Sequence, residues 1–160
     1  MASAAPDNAA WGRFEYSLDD KNRVLISPRL RWFFDDGAVM TIGAPNHIRI
    51  YRKESWEKLT RGFDEFGLAS EMNHNIEVVM QLLGNCETVS LDRENRLTIP
   101  RFFKSFAGLN DGDFVAAVAL GNRIELWSRS KWDQQYAAIS AEQVAMAYNE
   151  AYRPPAAIAG

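Results

Sequence analysis

The chain is poor in the residues that build metal sites and nucleophiles: Cys86 stands alone among 160 residues, and His47 and His74 are the two histidines. One cysteine makes no internal disulfide, and no paired Cys/His spacing would cage a zinc ion. A reducing compartment, most simply the cytoplasm, is the expectation. The histidines stand far apart, without an acid, serine or cysteine at a recognisable spacing, and read as a turn residue and a helix-surface residue. Cys86 reads as buried filler. No phosphate-cradling glycine-rich loop and no triad motif occurs, so neither an enzyme nor a cofactor is expected.

Long apolar runs are missing too. The longest, Phe114 to Leu120, falls far short of the roughly 20 residues of a membrane helix, and no membrane partner is expected. The opening MASAAPDNAA lacks the basic cluster and apolar run of a secretory signal and reads as a flexible arm, 1–10. Residues 153–160, with adjacent prolines, read as a flexible tail. A surplus of positive charge is also absent. Lys+Arg 18 against Asp+Glu 21 gives −3, which argues against a globally basic, non-specific nucleic-acid binder. Screening confines a charge's influence to about 8 Å at physiological salt, so local basic islands decide the matter.

What the sequence does contain is an internal repeat. LDDKNRVLISPRLRWFF at Leu18 to Phe34 aligns with LDRENRLTIPRFFKSF at Leu91 to Phe106, at an offset of 73 set by Asp19 with Asp92 and Arg23 with Arg96. NHIRIYRKESW at Asn46 to Trp56 then aligns with NRIELWSRSKW at Asn122 to Trp132, at an offset of 76. The three extra residues are expected in Gly108 to Asp113, where turn chemistry tolerates insertion. The repeats are read as 11–83 and 84–152. With 47% hydrophobic residues, the chain is long enough to bury one core.

Each copy reads as a β-loop-β-helix unit. Short strands at Arg13 to Leu18 and Thr88 to Leu91 enter charged loops and leave through Val24 to Ile26 and Leu97 to Ile99. Pro28 and Pro100 open short helices, because the first helical N–H has no partner to lose. Leu30, Trp32, Phe33 and Phe34, with Phe102, Phe103 and Phe106, read as core. Two hairpins follow, Ala38 to Ile42 with Ile48 to Tyr51 and Phe114 to Leu120 with Ile124 to Trp127. Helices are expected on the face Trp56, Leu59, Phe63 and Phe66, at about Ser70 to Leu83, after Ser128, and from Ser140 to Tyr152 with capping-box spacing to Gln143. The fold class is α+β.

The loops DDKNR, Asp19 to Arg23, and DRENR, Asp92 to Arg96, carry the chemistry. Each places an Asp four residues before an Arg, so the carboxylate can fold back onto the guanidinium or the loop N–H groups and fix the arginine. A fixed arginine can donate two parallel hydrogen bonds to guanine O6 and N7, a contact worth roughly fivefold to a hundredfold in discrimination. Lys21, Arg93, Arg29, Arg31, Arg101 and Lys104 are placed to hold phosphates around it. The windows Asp19 to Arg31 and Asp92 to Lys104 each carry four basic and two acidic residues, so both are positive within a chain of net −3. One such loop alone reads as a turn-stabilising ion pair. Two in register, each with a basic helix start behind it, point to function. Asn22 and Asn95 read first as residues tolerant of a left-handed turn and second as base contacts.

At these residues the chain resembles the MraZ family, whose double DxxxR pattern followed by an I-P step matches LDDKNRVLIS and LDRENRLTIP. The resemblance covers about Trp11 to Tyr136. It implies an AbrB-like swapped-hairpin barrel of duplicated β-loop-β-α units with flanking helices, assembled into a ring-shaped homo-oligomer. Family members act as transcriptional regulators of the division and cell-wall gene cluster and bind short G-rich repeats upstream of their own operon. Arg23 and Arg96 match the family's DNA-contacting arginines, with Asp19 and Asp92 as their partners. The implied protein is a repressor on double-stranded promoter DNA, cytoplasmic and nucleoid-associated. Ile26-Ser27-Pro28 departs from the I-P step, and Asn replaces the usual Gly before each Arg. The competing reading is a non-catalytic, antitoxin-like assembly module on the same fold.

Overall fold

The structure, a computed structural model, describes residues 10–66 and 83–152. The expected tail, the arm through residue 9, and nearly all of the expected helix at 70–83 lie outside the described residues. Ala10, read as part of the arm, is the first residue of a strand and is buried.

β1 (Ala10–Ser17) and β2 (Arg23–Leu25) flank the first charged loop, and a 3-10 helix (Pro28–Phe34) follows. β3 (Ala38–Gly43) and β4 (His47–Arg52) form a hairpin that runs into α1 (Lys53–Phe66). The same order returns with β5 (Glu87–Val89), β6 (Arg96–Thr98), α2 (Arg101–Ala107), β7 (Phe114–Gly121) and β8 (Arg123–Ser128). Two helices close the described chain, α3 (Arg129–Ala137) and α4 (Ala141–Ala151). The capping box expected at Ser140 is formed: its Oγ accepts from Gln143 N–H at 3.1 Å, and its own N–H donates to Gln143 Oε1 at 2.8 Å. The chain forms two compact units that divide between Arg129 and Ser130.

The fold is α+β. Six antiparallel strands form one sheet in the order β1-β7-β8-β4-β3-β5, and β2 pairs with β6 in a two-stranded ribbon. Strand β1 thus pairs with β7 of the second half, and β5 pairs with β3 of the first. Written with the sequence correspondence, β1 for β5 and β3 for β7, the strand order reads the same backwards. Two pairs join corresponding positions directly: Val24 faces Leu97 in the ribbon, and Arg49 faces Glu125 in the sheet.

The register corrects the expected insertion. The pairs Ala38 with Val89 and Tyr16 with Val115 correspond when Ala38 matches Val115, an offset of 77. The second copy therefore has four extra residues before β7 and one fewer in the β7–β8 turn, instead of three extra in one place. A gapped alignment through two polar turns sees the net length alone.

One face of the large sheet packs against the ribbon and the short helices. Met40, Ile48, Ile50, Val115, Ile124 and Leu126 from the sheet meet Val24, Ile26, Leu97 and Ile99 from the ribbon, with Leu30, Phe33 and Phe103 filling the space between. Burying one such side chain contributes about 1.5–3 kcal/mol, so the short strands are held by packing more than by their own ladders. Phe102, read as core, points outward at 52% exposure, because the short helix gives its buried face to Phe103 and Ala107.

The other face of the two central strands carries a buried polar cluster. His47, read as a turn residue, begins β4, is fully buried and stacks on Trp127 with ring centroids 4.2 Å apart. Its Nδ1 lies 2.6 Å from Pro45 O, its Nε2 accepts from Arg49 Nε at 3.0 Å, and Glu125 Oε1 lies 3.5 Å from that same Nε2. Glu125 accepts from Arg123 Nε at 2.8 Å and Trp127 Nε1 at 3.1 Å. Burial alone would raise the Glu125 pKa, but the contact with His47 and the hydrogen bonds from Arg123 and Trp127 override it and hold the carboxyl at about 2. Cys86, read as buried, is exposed.

Candidate nucleic-acid interface

The two charged loops have the same local construction. Asp19 Oδ1 accepts the N–H groups of Lys21 at 2.9 Å and Arg23 at 2.8 Å, while Oδ2 accepts from Arg23 Nε at 2.8 Å. Asp92 repeats this on Glu94 N–H at 2.9 Å, Arg96 N–H at 2.9 Å and Arg96 Nε at 2.8 Å. One carboxylate thus ties down the loop backbone and the arginine together, which explains the four-residue spacing. Asn22 and Asn95 take the left-handed conformation, with φ of 60° and 61°, that the reversal needs.

The loops are joined across the ribbon by a reciprocal pair of hydrogen bonds. Ile26 N–H donates to Asn95 O at 3.0 Å, and Ile99 N–H donates to Asn22 O at 2.7 Å. Between these bonds, Arg23 pairs with Thr98 and Leu25 with Arg96. Val24 and Leu97 point into the core, so Leu25, 57% exposed, and Thr98 lie outward between the two arginines. Both strands are three residues long, too short for alternation to reveal this face in the sequence.

The electrostatics follow the geometry. For Asp19, burial pushes the pKa up, but hydrogen bonds from the Arg23 N–H and guanidinium and from the Lys21 N–H outweigh it and leave the carboxyl below its ordinary value. The Arg96 N–H does most to lower Asp92, and Asp92 in turn raises Arg96, with further contributions from Glu94 and from Asp19 across the ribbon. Both carboxylates and the Arg96 guanidinium are thus stabilised in their charged forms.

The other sequence candidates are less uniform. Lys21 and Arg93 are exposed on the loops, and Arg101 is exposed at the first residue of α2. Arg29 is exposed and lies over the Phe14 ring at 5.3 Å. Arg31 donates to Ile26 O at 3.0 Å, and Lys104 is ion-paired with Asp111, so both are engaged within the fold. The pairing of Glu94 with Arg96 Nη2 was not visible in the sequence, although the reversal from Lys21 to Glu94 at one loop position was its signal.

The family model described as "MraZ protein, putative antitoxin-like" matches residues 10–77 and again 82–152. Among curated relatives, the Transcriptional regulator MraZ of Deinococcus radiodurans is 30% identical over 132 residues, covering 82% of this chain and 90% of that protein. The protein of the same name from Natranaerobius thermophilus is 31% identical, with 84% and 92% covered. That from Thermus thermophilus is 30% identical, with 76% and 83% covered. With both halves matched by the family model and relatives aligned over most of their own length, the chain belongs to the MraZ family.

Proposed function

We propose that this chain is a sequence-specific, double-stranded DNA-binding transcriptional regulator, acting as a repressor on repeated short G-rich boxes upstream of the division and cell-wall gene cluster. The observation that carries the reading is the pair of aspartate-clamped arginines, Arg23 and Arg96, set on either side of one ribbon. Clamping removes conformational freedom from each arginine before it meets a base, which favours a two-bond contact with guanine over diffuse attraction to phosphate. Lys21, Arg93, Arg29 and Arg101 serve as phosphate contacts around the loops, while Asn22 and Asn95 shape them. Relatives named as transcriptional regulators support this assignment.

In this reading the repeats 11–83 and 84–152 exchange their first strands within one chain to make a swapped-hairpin barrel. Copies of the chain assemble into a closed ring, and several modest sites on spaced repeats gain strength through effective concentration. The protein works in the cytoplasm, associated with the nucleoid.

The test is fluorescence anisotropy with a labelled duplex carrying the region upstream of its own gene, across a salt series. Log affinity is expected to fall linearly with log salt, at a slope of about −0.9 per phosphate contact. Affinity that ignores salt, or that is equal for an unrelated duplex, contradicts the proposal and favours an antitoxin-like assembly module.

A further inference from the structure

The two loops share one backbone but differ in charge. Asp20 and Lys21 in the first correspond to Arg93 and Glu94 in the second. In the second loop, Glu94 pairs with Arg96 Nη2 while Asp92 holds Nε at 2.8 Å. Arg96 therefore faces two carboxylates. Among the described residues Arg23 is ion-paired with Asp19 alone, and Lys21 at the position of Glu94 brings a second positive charge. The clamps are otherwise alike, so the difference lies at the terminal nitrogens that would meet a base.

We propose, resting on the DNA-reading role argued above, that the loops are unequal reading heads: Arg23 leads, and Glu94 is a positioning residue that restrains Arg96. Before Arg96 can bind, Glu94 must either leave Nη2 or be carried as an anion towards the phosphate backbone. Either step takes the same part from every contact Arg96 makes, a small part because the carboxylate stands on a flexible, exposed stem. A ribbon whose two arms correspond position by position therefore reads its site with a direction.

The experiment measures affinity for the upstream duplex in the full-length protein, using Glu94→Gln, Arg96→Ala, their double variant, Arg23→Ala and the control Glu57→Gln, which removes an exposed charge on α1. Glu94→Gln is expected to tighten binding by about twofold to fivefold, the range spanned by an exposed ion pair. Glu57→Gln is expected to change it less than about twofold. The Glu94 effect should vanish in the Arg96→Ala background, as a double-mutant cycle requires of a residue acting through its partner. Arg23→Ala should cost more than Arg96→Ala, and Glu94→Lys should bring those two costs together. An equal gain from Glu57→Gln, a gain that persists without Arg96, or an Arg96→Ala loss as large as that of Arg23→Ala overturns the inference and leaves the DNA reading standing. Binding untouched by removing both arginines overturns both.

Discussion

Replacing Glu125 by glutamine keeps the side chain's size while deleting the one negative charge in the buried cluster on β4 and β8. The carboxylate is 5% exposed, accepts from Arg123 and Trp127, and has Arg49 Nε at 3.6 Å. Its pKa is held at about 2 against an ordinary 4.5, and at about 1.36 kcal/mol per pH unit this amounts to about 3 kcal/mol of stability at neutral pH. Breaking a buried pair from one side costs about the same. Glu125→Gln should therefore lower the unfolding free energy by about 3 kcal/mol and Tm by roughly 10 °C for a chain of this size. A depressed carboxyl stabilises above its unfolded pKa and loses that contribution as pH falls towards its folded pKa. The gap between wild type and variant should hold from pH 7 to about 4.5 and shrink between there and about 2. Urea titrations followed by tryptophan fluorescence, repeated in steps down to pH 3, measure it. A variant within about 0.5 kcal/mol of wild type at pH 7, or a gap unchanged at pH 3, would contradict this role for Glu125.

Changes at three further positions test the packing and the loops. A Cβ at Gly43 would collide with the His47 ring and the Arg49 guanidinium, so Gly43→Ala should cost about 1–3 kcal/mol and disturb the stack on Trp127, with an unchanged urea midpoint as the contrary result. Asn95→Gly should leave stability within about 0.5 kcal/mol, whereas Asn95→Val should lose about 1–2 kcal/mol to the left-handed backbone; equal melting temperatures would argue against a conformational role for Asn95. Ser27 N–H donates to the Tyr16 hydroxyl at 3.1 Å, so Tyr16→Phe should cost about 1–3 kcal/mol, which calorimetry would detect.

The loops were the most legible part of the sequence because their geometry is local. Asp19 reaches Arg23 within four residues, and the left-handed turn announces itself in Asn22. The hairpin β3–β4 and the capping box at Ser140 are local in the same sense. What the sequence hid is long-range. No periodicity tells that β1 pairs with β7 instead of β3, since either partner buries Tyr16 on the same alternation. His47 looked like a turn residue because it follows Pro45-Asn46, and its burial depends on Trp127 and Glu125 from a strand almost 80 positions away. Lys104 reads as a phosphate contact in the sequence because its partner, Asp111, lies beyond the helix end. The contrast between Lys21 and Glu94 was in plain view, but its meaning required the coordinates of Arg96 Nη2.

DNA reading by Arg23 and Arg96 is what the proposed function rests on. It is tested most directly by an electrophoretic shift with the duplex upstream of its own gene, comparing wild type with the Arg23→Ala/Arg96→Ala variant at two salt concentrations, while light scattering follows the assembly. A shift with wild type that weakens at the higher salt and is lost in the variant, with assembly unchanged, is the result predicted. A shift that survives the loss of both arginines, or no shift with wild type at low salt, would contradict it.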